Sequence, residues 1–521
     1  MNAITVIFLV CYAPLWFAAV RYDTQMFQQN SYRMSRYARW YRRGNDWVRA
    51  VAIAALAAAS LLPFVSQTEF CGVAALVMLL AAWRELRTVY KLPIVYTMRV
   101  RRLFITAALL TAAAIAAALA FAPRYMPATA LGLLAFPIVM SAANLLNRPV
   151  EAAVARWYYN DARRILRSMP DLIVIGVTGS FGKTSTKHYL YRILSEKYDV
   201  LMTPGNFNTT LGVIRTVREH LKPHHRVFIV EMGAKQSGDI REICDLVRPS
   251  IGIVTAVGEM HLETFRTVEN ILRTKFELID SLPADGFGVV NLDSAPIAAN
   301  TATYRCPVAS YAVDNAAADY RAVNIAYSPA ETTFDIARGN ETRTHYTTRL
   351  AGRGNILNLL AAIAVADRLG VSEAMQKRAV RRIEQIEHRL SVKRTAGGIA
   401  IIDDAYNSNP AGAKMALEVL REFRTDGGRR IVVTPGFVEL GARQYELNRE
   451  LGRDIAQACD MVVIVNLTNR DAIAEGLADK AFPDDKIRKV ASFAEASSYL
   501  ADRLRAGDAV LYENDLPDSF K

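Results

Sequence analysis

The first 150 positions alternate between long apolar runs and short Arg-rich segments. Met1–Val20 carries no charged side chain, and Val48–Ser66 carries only Arg49 near its start. Phe70–Trp83 is shorter, and Phe104–Ala122 and Ala128–Leu146 complete the set. A helix of about 18 or more apolar residues is long enough to cross a bilayer. The pattern therefore predicts a transmembrane domain over 1–150 with about five spans. Met1–Val20 lacks a basic start and a small-residue cleavage site, so it is expected to be a retained span rather than a signal peptide. Arg21–Arg49 holds seven basic residues, Arg84–Arg102 six and Asn147–Ser168 five, against one in the turns near Gln67 and Arg124. Positive charge stays on the cytoplasmic side. The expected topology is N-terminus out and C-terminus in, a multi-pass membrane protein with its remaining domains in the cytoplasm.

After Pro170 the pattern becomes that of an α/β protein. Leu172–Val177, Arg226–Val230 and Ile251–Ala256 are short apolar strands alternating with helical segments such as Ser185–Glu196, which predicts a parallel, doubly wound sheet. Tyr320 to Thr348 alternates apolar and polar positions, as a small antiparallel patch would. Ile356–Leu369 reads as a helix. From about Leu390 a second, Rossmann-like α/β unit is expected, with strands at Ile399–Ile402, Arg430–Thr434, Met461–Val465 and Ala509–Tyr512.

Length changes little: 521 residues allow roughly three domains. Charge changes more. Residues 1–150 hold 15 Lys and Arg against four acids, so they supply +11 of the formal +12. A nucleic-acid binder would carry its basic patch on the folded domains, so this distribution argues against one and for an anionic lipid surface. Five scattered cysteines with no CxxC pair support neither a zinc site nor a disulfide framework.

The sharpest chemical signal is Gly176-Val177-Thr178-Gly179-Ser180-Phe181-Gly182-Lys183-Thr184-Ser185, placed between a strand and a helix. Glycines let successive backbone N–H groups curl around a phosphate, and the helix N-terminus adds a positive end. Gly179, Ser180, Phe181, Gly182, Lys183, Thr184 and Ser185 are thus candidates for binding ATP. Lys183 would reach the β/γ-phosphates and Thr184 would ligate Mg²⁺.

This short form of the phosphate loop resembles that of the Mur ligase family, the ATP-dependent amide ligases of peptidoglycan synthesis. The resemblance covers about residues 165–521. Thr203 to Gly212, with Asn206, Asn208 and Thr209, looks like the family's substrate-facing loop. Glu231 matches its Mg²⁺-binding glutamate and His261 its metal-site histidine. Lys275 stands where the family carries a carbamylated lysine. Asn355 and Asn358 match its nucleotide-side motif. Arg389, then Asp404 and Asn407, match the entry to its third domain, in a string most similar to the branch that adds D-alanyl-D-alanine to a UDP-muramoyl-tripeptide. Gly354 departs from the pattern, since relatives usually have His there.

The resemblance implies a central ATP-binding domain over 165–389 and a C-terminal domain over 390–521. It implies catalytic roles for Lys183, His261, Lys275 and Arg389, and nucleotide binding by Asn355 and Asp404. It places substrate on Asn206, Asn208, Thr209 and Asn407. The metal ligands would be Thr184, Glu231 and His261, with two Mg²⁺ ions, one bound through carbamylated Lys275. The expected activity joins a cell-envelope precursor acid to an amino-acid or dipeptide amine through an acyl phosphate. The family's soluble UDP-binding domain is replaced here by the apolar runs. Two rivals remain: the same chemistry on a lipid-linked or poly-γ-glutamate-type polymer, and an ATP-switched membrane scaffold or transporter-like protein.

Overall fold

The computed structural model describes residues 3–43, 46–62, 66–90, 92–135, 137–327, 331–339, 342–386, 388–405, 409–423 and 427–514. Residues up to Trp157 form one compact unit and residues from Tyr158 a second.

The first unit is helical: α1 (Ala3–Gln29), α2 (Met34–Arg43), α3 (Asp46–Ala59), α4 (Gln67–Arg87), α5 (Met98–Phe121), α6 (Met126–Ala135) and the start of α7 (Ile138–Arg167). Among the described residues α1 and α5 are each long and apolar enough to cross a membrane, and the bent pair over Pro123–Ala135 and Ile138–Arg167 makes a third if it counts as one span. The run Val48–Ser66 yields only the 14-residue α3. Pro63 lies within that run, and the residue before a proline is biased away from helix. The shorter run Phe70–Trp83 yields the 21-residue α4, because polar residues at both ends join the helix. Residues 150–165, which fall between the expected domains, are helical as part of α7.

Polar contacts fix the helices to one another. Trp16 Nε1 donates to Thr111 Oγ1 at 3.0 Å, and Asn147 Nδ2 to Thr106 Oγ1 at 3.0 Å. The Arg99 guanidinium lies 3.9 Å over the Tyr32 ring, which puts the end of α1 and the start of α5 at one level. Val73, Leu76 and Leu80 on α4 and Ile105 and Leu109 on α5 are exposed. Apolar residues at helical spacing on the outside are what a lipid-facing surface requires.

The second unit begins with a nine-stranded sheet of order β2-β3-β1-β4-β5-β6-β7-β8-β9. Its strands are β1 (Ile173–Thr178), β2 (Val200–Met202), β3 (Val227–Glu231), β4 (Ile251–Val254), β5 (Phe287–Asn291), β6 (Val308–Ala312), β7 (Tyr320–Tyr327), β8 (Thr332–Arg338) and β9 (Thr342–Thr348). The pairs from β2 to β7 are parallel, and β7-β8-β9 are antiparallel at the sheet's edge. Parallel strands bury both faces, hence their continuous apolar runs. Val174, Phe228 and Val230 join one core, while Ile175, Val177, Val227 and Ile229 join the other. The helix α8 (Lys183–Leu194) packs beside the long helix Arg353–Arg368 in this second core.

A six-stranded sheet follows, of order β10-β11-β15-β12-β13-β14. The four expected strands are present as β11 (Ala400–Asp404), β12 (Arg430–Thr434), β13 (Met461–Val465) and β15 (Ala509–Glu513). Two more, β10 (Ser391–Arg394) and β14 (Ile487–Val490), lie at the edges. Their basic sequences, Ser-Val-Lys-Arg and Ile-Arg-Lys-Val, suit an edge but carry no apolar run to mark them.

Candidate active site

In the first sheet β1 lies between β3 and β4, so the chain passes to opposite sides of it and leaves a crevice at the strand ends. The phosphate loop occupies that crevice. It is tied down by Ser180 N donating to Ala256 O at 2.7 Å and Thr255 Oγ1 donating to Phe181 O at 2.5 Å. Gly182 turns into α8 with φ of +81°, and a Cβ there would meet Asn358 Oδ1 at 2.5 Å. Only glycine satisfies both conditions.

Lys183 opens α8 and folds back, its Nζ donating to Gly179 O at 2.6 Å and Ser180 O at 3.1 Å. The ammonium is partly open to the cleft yet enclosed by protein. That enclosure lowers its pKa to about 8, with Glu231 opposing the shift and Arg389 adding to it. Glu231 arrives because β3 pairs with β1 in a register that sets it opposite Val177. Thr184 Oγ1 lies 3.2 and 3.1 Å from its two carboxylate oxygens, Asn208 Nδ2 donates to Oε1 at 3.2 Å, and Lys187 Nζ pairs with Oε2 at 3.0 Å. Burial alone would raise the Glu231 carboxyl. Lys187, Lys183 and the hydrogen bonds outweigh it and hold the group below the usual carboxylate range.

Lys183, Thr184, Asn208 and Glu231 line a cleft of about 1060 Å³, the solvent at its mouth included. Ser180, Phe181, Gly182, Lys183, Thr184, Ser185, Asn206, Asn208, Glu231, Asn355 and Asn358 come from the central domain. Arg389, Asp404, Asn409 and Met415 come from the part that carries the second sheet. Arg389 Nη2 reaches Thr184 Oγ1 at 3.5 Å. Asp404 Oδ1 accepts from Leu390 N at 3.0 Å. Burial pushes the Asp404 carboxyl up to about 6, Arg389 and the Leu390 N–H pulling the other way. The donor set fits both groups that the sequence implies. A loop of backbone amides at a helix start suits a triphosphate, and the Thr184 hydroxyl with the Glu231 carboxylate suits a hard cation such as Mg²⁺.

The remaining expected residues divide between the cleft and its surroundings. His261 does not line the cleft. It adopts a left-handed backbone conformation, φ +54°, and its Nδ1 donates to Glu439 Oε2 at 2.5 Å, while Arg443 pairs with Glu259 in the same loop contact. Among the described residues no three His, Cys, Asp or Glu side chains are grouped to hold a metal. Thr209 caps a helix: its Oγ1 accepts from Gly212 N at the start of α9 (Thr210–Glu219). Asn355 lines the cleft, and each end of its amide makes one hydrogen bond within the protein. Tyr189 OH donates to its Oδ1 at 2.7 Å and its Nδ2 donates to Ala351 O at 2.8 Å. Asn407 lies outside the described residues.

Lys275 is buried in the helix Val268–Asp280, off the cleft wall. Burial, with Lys183 adding, lowers its pKa to about 7 against the opposing Asp239 and Glu277. Gly354 leaves its space to Met415, whose Sδ would stand 3.0 Å from a Cβ there. Sequence reasoning passed over Lys187, Met260, Thr255 and Met415. For Lys187 a signal existed: it lies four residues after Lys183, on the same face of α8.

Residues 177–366 match the Mur ligase middle domain, and 388–512 match the Mur ligase, glutamate ligase domain. The chain is similar to UDP-N-acetylmuramoyl-tripeptide–D-alanyl-D-alanine ligase of Bacillus subtilis (strain 168), 29% identical over 341 residues, which span 65% of this chain and 72% of that one. To the enzyme of that name from Mycobacterium tuberculosis (strain H37Rv) it is 30% identical over 361 residues, 65% of this chain and 70% of the other. Among solved structures it resembles MurF from Acinetobacter baumannii, with a TM-score of 0.60 and 27% identity over 69% of this chain and 77% of that one. MurF ligase from Thermotoga maritima in complex with ADP gives a TM-score of 0.60 and 26% identity, over 69% and 80%. Both matched domains and the site they frame place the chain in the Mur ligase family, whose members are ATP-dependent ligases.

Proposed function

We propose that the protein is a MurF-like amide ligase of peptidoglycan-precursor synthesis. It would join an amine such as D-alanyl-D-alanine to the carboxylate of a muramoyl-peptide-type acid, at the expense of ATP. The observation that carries this reading is the convergence of Lys183, Thr184 and Glu231 with Arg389 in one cleft. A carboxylate oxygen of the acid attacks the γ-phosphorus, and the bond to the β-phosphate oxygen breaks to release ADP. The amine nitrogen then attacks the acyl carbon, loses a proton and expels phosphate. Little covalent chemistry falls to the protein, so positioning and charge neutralisation dominate.

The residues divide that work. Backbone amides from Gly179 to Ser185 hold the phosphates, and Lys183 neutralises the β/γ oxygens. Thr184 and Glu231 would hold Mg²⁺, which neutralises phosphate charge when bound. Carbamylated Lys275 would offer an anionic oxygen pair to a second ion, and burial supplies the neutral amine this needs. His261, its Nδ1 held by Glu439, would offer Nε2 to a metal. Arg389 balances the moving phosphoryl group, and Asp404 orients nucleotide or Arg389. Asn206 and Asn208 present the loop that faces the acid.

The decisive assay is ADP release from the purified full chain. Release should require both an acid and an amine. Release with ATP alone would favour the switching scaffold. The apolar helices stand in place of the usual UDP-binding domain, which favours a second reading in which the acid arrives lipid-linked. Comparing kcat/KM for UDP-linked and lipid-linked acids in nanodiscs separates the two.

The same helices make the first unit a membrane anchor, with the basic rim around Arg36 and Arg99 on the cytoplasmic side and near anionic headgroups. Single cysteines near Gln67 and Met126 should react with an impermeant maleimide from outside, and cysteines at 36 or 99 should not. External labelling at 99 would overturn this topology.

A further inference from the structure

Lys187 is fully buried, and a lysine is retained in such a place only when paired. Its Nζ lies 3.0 Å from Glu231 Oε2 and donates to Gly205 O at 2.7 Å. Glu231 ends β3, and Gly205 belongs to the loop between β2 and α9 that also carries Asn206 and Asn208. Asn208 returns to the same carboxylate through Oε1, and its carbonyl accepts from Gly233 N at 2.7 Å. One ammonium thus ties α8, the end of β3 and the acid-facing loop together.

We propose that Lys187 is a positioning residue of the ligase site, holding the Glu231 carboxylate and the 203–209 loop in register with the phosphate loop. The inference rests on the proposed ligase reading. Lys187 touches neither nucleotide nor acid in this role. Its ammonium, 3.0 Å from Oε2, would also repel any divalent cation that the Glu231 carboxylate binds, so it opposes that cation while fixing its ligand. Removing the charge should therefore tighten cation binding and loosen the loop. A side chain that only filled space would do neither.

The test uses the full chain in detergent with Lys187→Gln, which keeps a donor but drops the charge, and Lys187→Met, which keeps only the aliphatic volume. Mn²⁺ binding is read by electron paramagnetic resonance with a non-hydrolysable ATP analogue. The dissociation constant in Lys187→Gln should fall about tenfold, because a repelling charge has left the carboxylate. KM for the acid should rise about tenfold with a much smaller change in kcat. A folded Lys187→Gln with unchanged Mn²⁺ affinity and unchanged KM overturns the proposal. Should both variants unfold, the wild-type chain decides. Mn²⁺ should then change amide exchange in residues 203–209 by about threefold or more, and unchanged exchange overturns the coupling. Absence of acid- and amine-dependent ADP release in the wild type would instead refute the ligase reading and leave the Mn²⁺ result for Lys187 standing.

Discussion

Lys183→Ala is expected to lower turnover by about a thousandfold or more, since a positioned cation at a transferring phosphoryl group accounts for effects of that size. The fold should survive. Among the described residues the ammonium bonds to Gly179 O and Ser180 O of its own loop, and neither contact belongs to a core. On binding ATP the group would exchange those two carbonyls for phosphate oxygens. The pKa near 8 would rise again as anionic charge arrived beside it. Coupled ADP-release kinetics with circular dichroism as the folding control would check this. Near-normal turnover in a folded Lys183→Ala protein would refute the phosphate-loop assignment.

Lys275→Ala should be the second severe loss, about a hundredfold or more if a carbamate there holds a catalytic cation. Partial rescue by formate or acetate is expected, because a small carboxylate restores the missing anion. A carbamate forms from the neutral amine and CO₂. With the pKa lowered to about 7, the neutral fraction grows as pH rises through that value. Enzyme stripped of CO₂ should therefore regain activity with bicarbonate increasingly between about pH 6 and about pH 8. Mass spectrometry under CO₂ would show the adduct. Full activity of Lys275→Ala would make it an ordinary buried lysine.

The mutations probe parts of the site that were unequally legible in the sequence. The phosphate loop could be read directly, because strand, bend and helix are contiguous from Gly176 to Ser185 and glycine is demanded by local backbone geometry. The buried parallel strands were equally plain, since burial on both faces leaves an uninterrupted apolar run. The apolar runs before residue 150 gave the expectation of a membrane-type segment and, through their basic flanks, of an orientation, and two of the helices they yield are long and apolar enough to cross a membrane. They did not settle helix length. Proline context curtailed α3, while polar flanks lengthened α4.

Side-chain allegiance is what only the tertiary structure decided. Glu231 lies 44 positions beyond Lys187, and the β1–β3 register together with the packing of α8 beside β3 brings them within 3.0 Å. Arg389 meets Thr184 across 205 positions, and His261 meets Glu439 across 178. A residue type states which bonds it is able to make, and a motif states where they are expected. Which bond forms depends on the donor or acceptor that folding delivers nearby. Thr209 therefore spends its hydroxyl on a helix start and Asn355 its amide on Tyr189 and Ala351. The sequence by itself determined the elements and the chemistry they carry, because hydrophobic period and local backbone demand are properties of neighbouring residues. The pairing of Glu231 with Lys187 and of His261 with Glu439 depended on packing, because those partners are neighbours only in three dimensions.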